Sequence, residues 1–279
     1  MAKQKDLEFI KESGQEMYFD KEVAERMIER ENNSSHILTS KIFEAILMVE
    51  FGGKRDLRIA DLGAGAHAMR YDRFIKFLKN NDGKIYWVDQ SPFMLDYALR
   101  NIPLESKYVF EFVKGEMISF LKKKKQEFDG LILKYSFNYL APCSLEDCLG
   151  VIYKSLKKSG KVIANPHFYE QGMEDRSYNA IYKIKGKRIV EGYRPKDNEI
   201  IQVCFLEKPG DESVFPETLA CTKTIYYSPE YIKEVGQRVG FSRIETYENW
   251  EQNRKWKESF GRLNLDSKSK AKSFLFLQK

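Results

Sequence analysis

A short apolar stretch that runs into two closely spaced glycines most constrains the fold of this chain. Residues 57–62 have the character of a buried strand, Gly63 and Gly65 follow directly, and residues 66–78 are rich in helix formers. A glycine has no Cβ, so the backbone can turn tightly and a ligand can approach closely. A strand that turns into a helix in this way directs backbone N–H groups at a ligand. The pattern predicts a ligand site at the carboxyl end of this strand.

Short apolar runs alternate with helical patterns from about residue 56 to residue 166. Ser91 and Ser144 stand where N-caps of two of the predicted helices are expected. Such alternation implies a parallel sheet with helices on both faces. Two more strands are predicted near the end of the chain, at 241–247 and 273–277. The five earlier strands are predicted at 57–62, 85–88, 108–113, 128–133 and 161–164, and helices follow at 67–78, 91–99, 116–126 and from 144.

Two segments lie outside this alternation. The first is helical by its apolar spacing, and Thr39 or Ser40 is predicted to cap its second helix. The second contains β-type runs separated by glycine, proline and charged turns, which predicts an antiparallel insertion. The chain therefore divides into a helical segment (1–50), an α/β core (51–166 and 228–279) and an insertion (167–227).

The composition is that of a globular protein, with 42% hydrophobic and 32% charged residues among 279. A net charge of +6 permits an anionic substrate and does not demand nucleic acid. No apolar run approaches the roughly 20 residues of a membrane span, and the N-terminus lacks the apolar core of a signal peptide. The four cysteines form no Cys-x-x-Cys pair, and the three histidines lack metal-ligand spacing. We expect reduced thiols, a cytoplasmic location and no metal.

Two ligand classes compete for the glycine turn. Gly63-x-Gly65-x-x-Ala68 satisfies a dinucleotide fingerprint, and Asp89 follows at about the distance of a ribose-binding acid. Asp61, two residues before the first glycine, discriminates between them. A carboxylate there would oppose an anionic pyrophosphate and would attract a cationic amino group such as that of S-adenosylmethionine.

The order of Asp61, the two glycines, Asp89 after the second strand and the pair Glu116–Met117 after the third resembles the class I S-adenosylmethionine-dependent methyltransferases. The resemblance covers about 56–166 and resumes at 228–279. It implies a Rossmann-like, seven-stranded, mostly parallel sheet with an antiparallel last strand. It also implies a helical N-terminal lid and an insertion after strand five that covers the substrate.

The resemblance further implies that S-adenosylmethionine is bound by residues that follow the first four strands. These are Asp61, Gly63 and Gly65 for the methionine part, Asp89 and Gln90 for the ribose and adenine, Glu116 and Met117 for the adenine, and Lys134 beside the reactive methyl. Two alternatives stay open. His67 replaces the third glycine that is common in the family, and it either approaches the sulfonium or substrate or faces solvent. Glu116 is equally a first-turn acid of a helix.

Methyl transfer needs alignment, exclusion of water and, for some acceptors, removal of a proton, so no obligatory catalytic motif exists. The residues after strand four, 134–138, lack the motif of nucleobase amine methylation. We therefore predict an O or N atom of a small molecule as the acceptor. His167 is the first candidate for a general base because it leaves strand five at the ligand edge, His36 is the second, and Tyr135 is predicted beside the methyl group. The alternatives are an RNA methyltransferase, a SAM-binding protein without chemistry and, more distantly, a nicotinamide-dependent oxidoreductase.

Overall fold

The computed structural model describes residues 21–32, 34–140, 144–168, 179–184, 187–196, 199–207, 218–260 and 273–279. Its α-helices there are α1 (Lys21–Glu31), α2 (Ser34–Phe51), α3 (Asp72–Asn80), α4 (Pro92–Arg100), α5 (Met117–Lys122), α6 (Leu145–Ser155), α7 (Pro229–Val239) and α8 (Arg254–Phe260). Its strands are β1 (Arg58–Leu62), β2 (Lys84–Asp89), β3 (Phe110–Lys114), β4 (Phe128–Leu133), β5 (Leu156–Ala164), β6 (Asn179–Ile184), β7 (Lys187–Lys196), β8 (Glu199–Glu207), β9 (Thr218–Tyr227), β10 (Arg243–Tyr247) and β11 (Phe274–Gln278).

Seven strands form one sheet in the order β10-β11-β5-β4-β1-β2-β3. The five strands from β3 to β5 pair in parallel, and β11 pairs antiparallel with both β5 and β10. Leu62 pairs with Val88, and Leu133 pairs with Ala164, so neighbouring strands end level with one another. The prediction of a Rossmann-like, mostly parallel sheet with an antiparallel last strand is confirmed.

Both faces of this sheet are buried, as the continuous apolar character of its strands requires. Side chains alternate across β1: Ile59 joins an apolar cluster with α2, α3 and α4, whereas Ala60 joins one with α5, α6 and α7. Trp87 of β2 is fully buried on the first face. Helices on both faces leave the carboxyl ends of the parallel strands as the edge where ligands of such sheets bind.

The four strands β6 to β9 form a second, antiparallel sheet in sequence order. They occupy most of the predicted insertion, and the antiparallel pattern expected there is present. The β-type runs in this part of the sequence, 188–191, 200–206 and 222–227, fall within β7, β8 and β9, whereas no run was predicted at β6. The predicted segments 1–20 and 169–178 lie outside the described residues.

Serine caps explain where three helices begin. The hydroxyl of Ser91 accepts a hydrogen bond from the backbone N–H of Met94, and Ser144 accepts one from Asp147. Ser228 does the same at the start of α7. Each cap satisfies an N–H group that has no partner within its helix. The predicted caps Ser91 and Ser144 are therefore confirmed.

Several predicted boundaries are wrong for local reasons. Thr39 and Ser40 cap no helix: α2 begins at Ser34, and the Ser40 hydroxyl donates to the carbonyl of His36 within that helix. The helix predicted at 67–78 divides into a 3₁₀ turn, Ala68–Tyr71, and α3. The helix predicted at 116–126 ends at Lys122, and the strand predicted at 161–164 begins at Leu156.

Helix α2 is anchored to the core by two glutamates with little exposure. Glu44 accepts hydrogen bonds from the backbone N–H groups of Arg73 and Phe74 and so caps α3 from outside. Glu50 pairs with Lys161 of β5 at 2.7 Å and accepts from the indole N–H of Trp256 in α8 at 3.1 Å. Burial alone would raise the pKa of the Glu50 carboxyl, but these hydrogen bonds hold it below its ordinary value. The helix that carries His36 is thereby fixed against the sheet.

Candidate functional site

The glycine turn, Gly63–Gly65, begins directly after β1. Gly63 has φ +66° and Gly65 has φ +69°, which lie in the left-handed region that residues with a Cβ rarely adopt. The N–H of Ala64 donates to the carbonyl of Val88 at 3.0 Å. The indole N–H of Trp87 donates to the carbonyl of Gly65 at 2.8 Å. These two hydrogen bonds hold the glycine turn against the end of β2.

Asp89, the last residue of β2, closes the same turn. Its carboxylate accepts from the N–H of Gly65 and from the N–H of Ser91, each at 2.8 Å. Burial raises the pKa of Asp89, although backbone hydrogen bonds from Ser91, Gly65 and Gln90 act against that rise. Gln90 follows Asp89 and is half-buried. These predicted cofactor residues are brought together around one turn.

Asp61 is fully buried inside β1. Tyr71, the last residue of the 3₁₀ turn, is also fully buried. Burial, and then the nearby charge of Asp61, raises the pKa of the Tyr71 hydroxyl well above its ordinary value. Tyr71 therefore stays neutral and keeps its hydroxyl proton. The sequence offered no signal that singled out Tyr71, because it lies in a helical run of mixed composition.

Lys134, which directly follows β4, contacts both Ser40 and Tyr71. Its ammonium donates to the Ser40 hydroxyl at 3.1 Å and lies 5.2 Å from the centre of the Tyr71 ring. A cation over an aromatic face is attracted by the ring's negative surface. Lys134 thus joins the end of β4 to α2 and to Tyr71.

Glu116 and Met117 follow β3 at the same edge of the sheet. Glu116 is the N-cap of α5: its two carboxylate oxygens accept from the N–H groups of Ile118 and Ser119 at 2.7 and 2.6 Å. Met117 packs into the apolar cluster beneath α5. The N–H of Gly115 donates to the carbonyl of Asp89 at 3.0 Å, which ties the end of β3 to the end of β2. The structure thus shows Glu116 as an acidic residue at the start of a helix, which is one of its two predicted roles.

Three rings that are far apart in the sequence meet at the ends of β4 and β5. Tyr135 lies between two histidines, with ring centres 4.8 Å from His36 and 6.5 Å from His167. We call His36, Tyr135 and His167 the three-ring cluster. His167 is exposed, whereas the other two are half-buried. The structure therefore brings all three predicted catalytic residues together, with His36 in α2, Tyr135 after β4 and His167 after β5.

The three-ring cluster is held by hydrogen bonds to Tyr135. Its hydroxyl donates to the hydroxyl oxygen of Thr39 at 2.8 Å, and its backbone N–H donates to the side-chain oxygen of Asn165 at 2.7 Å. Tyr135 has φ +60°, which is costly for a residue with a side chain. The sequence did not predict that Thr39 or Asn165 would take part in this site, since their contacts with Tyr135 span 96 and 30 residues.

The glycine turn lies against Ser136, the residue that follows Tyr135 of the three-ring cluster. A Cβ on Gly63 would lie only 2.7 Å from the Cβ of Ser136, the residue after Tyr135. The Ser136 hydroxyl donates to the carbonyl of Leu62, so the two strand ends are also joined by a hydrogen bond. The two groups form one continuous site along β4, β1 and β2.

His67 contacts helices α1 and α4. Its Nε2 lies 3.3 Å from the carbonyl oxygen of Ile28 in α1, and its ring packs edge-on against Tyr97. Burial, then the nearby charge of Arg70, lowers the pKa of His67 to about 4. The imidazole is thus neutral at pH 7, half-buried, and joins the glycine turn to α1. A cavity of about 260 Å³ lies beside it, between residues 66–70 and the C-terminal end of α4.

Two classes of site are not found among the described residues. No group of three or more His, Cys, Asp or Glu side chains there is arranged to hold a metal ion. No helix of the described segments has the length and apolar character needed to cross a bilayer.

Comparison with known proteins agrees with this geometry. Residues 54–204, more than half of the chain, match the model of a methyltransferase domain family. The chain belongs to this family of enzymes. No curated protein is similar enough in sequence to match it.

Solved structures define the class more closely. The CcbJ methyltransferase from Streptomyces caelestis matches with a TM-score of 0.54 and 14% identity, over 86% of this chain and 94% of that one. An S-adenosylmethionine-dependent methyltransferase from Clostridium acetobutylicum ATCC 824 matches with 0.54 and 13%, over 89% and 93%. CalS10, an amino pentose methyltransferase from Micromonospora echinaspora, matches with 0.51 and 13%, over 92% and 97%. The fold is that of the class I S-adenosylmethionine-dependent methyltransferases.

Proposed function

We propose that this methyltransferase moves the methyl group of S-adenosylmethionine to an O or N atom of a small-molecule acceptor. In this proposal, residues 1–50 form a lid, 51–166 and 228–279 hold the cofactor, and 167–227 cover the acceptor. The observation that carries the proposal is the three-ring cluster, which adjoins the glycine turn. It offers two imidazoles and a phenol, which are side-chain types that take part in proton transfer in enzymes.

The chemistry of the strand ends fits S-adenosylmethionine. Asp61, Asp89 and Glu116 place a carboxylate at or near the carboxyl end of three adjacent parallel strands. The cofactor carries an amino group, a sulfonium and a ribose diol, which carboxylates can bind. When bound, it supplies a methyl group that the sulfonium already activates for displacement. We assign Asp61 and the glycine turn to its methionine part and Asp89 to its ribose, and the remaining assignments are Gln90, Glu116 and Met117 for the adenine and Lys134 beside the methyl.

The acceptor's nucleophilic atom is proposed to lie against the three-ring cluster. His167 takes its proton, because this imidazole is the exposed member of the cluster. His36 and Tyr135 form the wall that orients the acceptor and excludes water from it. Aromatic walls of this kind suit a ring or a cation as well as an alcohol. An amino pentose, the acceptor class of CalS10, is one small molecule of suitable chemistry.

The test has two stages. Calorimetry with S-adenosylhomocysteine first measures whether the purified chain binds the cofactor's product form. The chain is then given methyl-labelled S-adenosylmethionine with a panel of amino sugars, phenols and small amines, and bulk RNA serves as a separate arm. We expect binding, and methylation of a small molecule whose product mass and fragmentation identify O or N.

Three outcomes would redirect the proposal. Methylation of RNA alone, with an affinity that falls steeply with salt, would favour an RNA methyltransferase. Binding of S-adenosylhomocysteine without turnover on any arm would favour a protein that binds the cofactor without chemistry. Binding of NADH in place of S-adenosylhomocysteine would overturn the assignment of the glycine turn.

A further inference from the structure

Two buried asparagines cross-connect the loops that follow β4 and β5. Asn138 lies after β4 and binds the loop after β5, whereas Asn165 lies after β5 and binds the loop after β4. Each is only 2% exposed. The partners of this reciprocal pair are two members of the three-ring cluster, His167 and Tyr135.

Asn138 holds the backbone of His167 at both of its polar groups. Its side-chain oxygen accepts from the N–H of His167 at 2.7 Å, and its side-chain nitrogen donates to the carbonyl of His167 at 2.8 Å. The same nitrogen donates to the carbonyl of Ile225 in β9 at 2.6 Å. Asn138 therefore fixes the exposed histidine to β4 and to the last strand of the second sheet at once.

Asn165 holds Tyr135 in a backbone conformation that tyrosine does not favour. Its side-chain oxygen accepts from the Tyr135 N–H at 2.7 Å while φ of Tyr135 is +60°. A glycine would adopt this conformation at less cost, but it would leave no ring between His36 and His167. Strained backbone persists where the surroundings enforce it, and such places cluster at functional sites.

We propose that Asn138 and Asn165 are positioning residues that set the mutual orientation of Tyr135 and His167 at the methyl acceptor. The inference rests on the proposed function for the role of these rings, but the positioning itself can be measured without turnover. Buried amides are costly unless they are hydrogen-bonded, so each asparagine favours the one arrangement that satisfies it. Asn165 acts on Tyr135, and Asn138 acts on His167.

The chain contains three histidines, so the full-length protein labelled at the histidine Cε1 gives three NMR signals. The variants His36→Gln, His67→Gln and His167→Gln assign them. We expect Asn165→Leu to move the signals of both His36 and His167, because the ring between them is released. We expect Asn138→Asp to move the His167 signal alone, since it keeps the acceptor for the His167 N–H and loses both donated hydrogen bonds.

Two further variants separate positioning from general stability. Asn165→Asp keeps an oxygen that can accept from Tyr135, so it should return the His36 signal to its native position. Asn81→Leu removes an asparagine that donates to the carbonyl of Phe77 at 2.8 Å, far from the cluster in sequence, and should move none of the three signals. The His67 signal reports whether each variant is folded.

Two results decide the matter. Unmoved His36 and His167 signals in folded Asn165→Leu, or an unmoved His167 signal in folded Asn138→Asp, would overturn the positioning role. If Asn165→Leu does not fold, Asn138→Asp and Asn165→Asp still test it. A native chain that fails to bind S-adenosylhomocysteine would sink the proposed function and leave the NMR result standing. With an acceptor in hand, we expect Asn165→Leu to lower turnover while the dissociation constant for S-adenosylhomocysteine stays within about threefold.

Discussion

The glycine turn and the three-ring cluster lie side by side but are built in different ways. In the glycine turn, the hydrogen bonds described join residues no more than 24 positions apart: the turn itself, the aspartate that ends the next strand and the indole of Trp87. In the three-ring cluster, the hydrogen bond from Tyr135 to Thr39 spans 96 residues, and the ring contacts join three separate segments. The first is a local motif, whereas the second exists only once the chain has folded.

This difference affects how each region tolerates change. The glycine turn depends on backbone conformation and on a Cβ-free approach, so one added methyl group disturbs it. The three-ring cluster depends on side chains from α2, β4 and β5, so its members can be changed singly while the fold survives. Substitutions can therefore separate cofactor binding from acceptor chemistry.

We expect the largest effect from Gly63→Ala, because it changes the glycine turn and also presses on Ser136, the residue next to Tyr135. The new Cβ would lie 2.7 Å from that of Ser136, and φ of +66° is unfavourable for alanine. Steric and backbone strain together should cost about 2–4 kcal/mol of unfolding free energy. Affinity for S-adenosylhomocysteine should fall at least tenfold, by roughly 1.4 kcal/mol or more. Urea unfolding and calorimetry measure the two effects.

Gly150→Ala is the matched control for that substitution. Gly150 lies in α6 with no atom within 4 Å of its added Cβ, so alanine should be neutral or stabilise the helix by up to about 1 kcal/mol. If Gly63→Ala were as stable as Gly150→Ala and bound S-adenosylhomocysteine normally, the close approach at the glycine turn would carry no weight.

Asp89→Ala tests the glycine turn without adding a clash. It removes the acceptor of the Gly65 and Ser91 N–H groups and the proposed acceptor of the ribose hydroxyls. Charge-assisted hydrogen bonds contribute about 1.5–3 kcal/mol each, so affinity for S-adenosylhomocysteine should fall at least tenfold. Asp89→Asn keeps one acceptor oxygen and should bind with intermediate affinity. Native affinity in a folded Asp89→Ala protein would contradict the ribose assignment.

Tyr135 tests the three-ring cluster, where stability and function should separate. Tyr135→Ala and Tyr135→Gly lose the same ring and the same hydroxyl bond to Thr39. Because φ is +60°, the glycine variant should be more stable than the alanine variant by about 1 kcal/mol. Both should lose turnover while affinity for S-adenosylhomocysteine changes by less than about threefold.

Tyr135→Phe is the control for these two variants, since it keeps the ring and its backbone conformation. It loses only the hydrogen bond to Thr39, at a cost of about 0.5–1.5 kcal/mol. Equal stability of the glycine and alanine variants would show that the left-handed backbone relaxes when the ring is removed. The strain at Tyr135 would then be a consequence of packing and not of the hydrogen bond that its N–H donates to Asn165.

The same contrast explains how much the sequence could predict. The parallel sheet, the glycine turn and Asp89 follow from contiguous patterns of apolar residues, glycines and acids, and the structure places them as expected. His36, Tyr135 and His167 could be proposed only one at a time, because no local pattern indicates that their rings meet. No pattern in the sequence placed Tyr71, Thr39 or Asn165 at the site. Their contacts there are with residues far away in the chain, Lys134 for Tyr71 and Tyr135 for Thr39 and Asn165. Likewise, Ser40 is a residue type that often caps helices, but it lies inside α2, which begins at Ser34.

The last expected effect concerns His67, which joins the glycine turn to α1, and it depends on pH. Its pKa is about 4 in the folded chain and 6.5 as the ordinary value, so the unfolded chain binds the extra proton first as the pH falls. The native protein should therefore lose stability between about pH 6.5 and pH 4 through this group. His67→Gln does not titrate, and a glutamine can still donate to the Ile28 carbonyl, so this variant should lose less stability over that range. Tyr97→Phe keeps the imidazole and its neighbouring ring and should retain the native pH dependence. Urea unfolding at pH 7.5 and pH 4.5 compares the three proteins, and an equal loss in His67→Gln would mean that α1 is held over the glycine turn without help from a neutral imidazole.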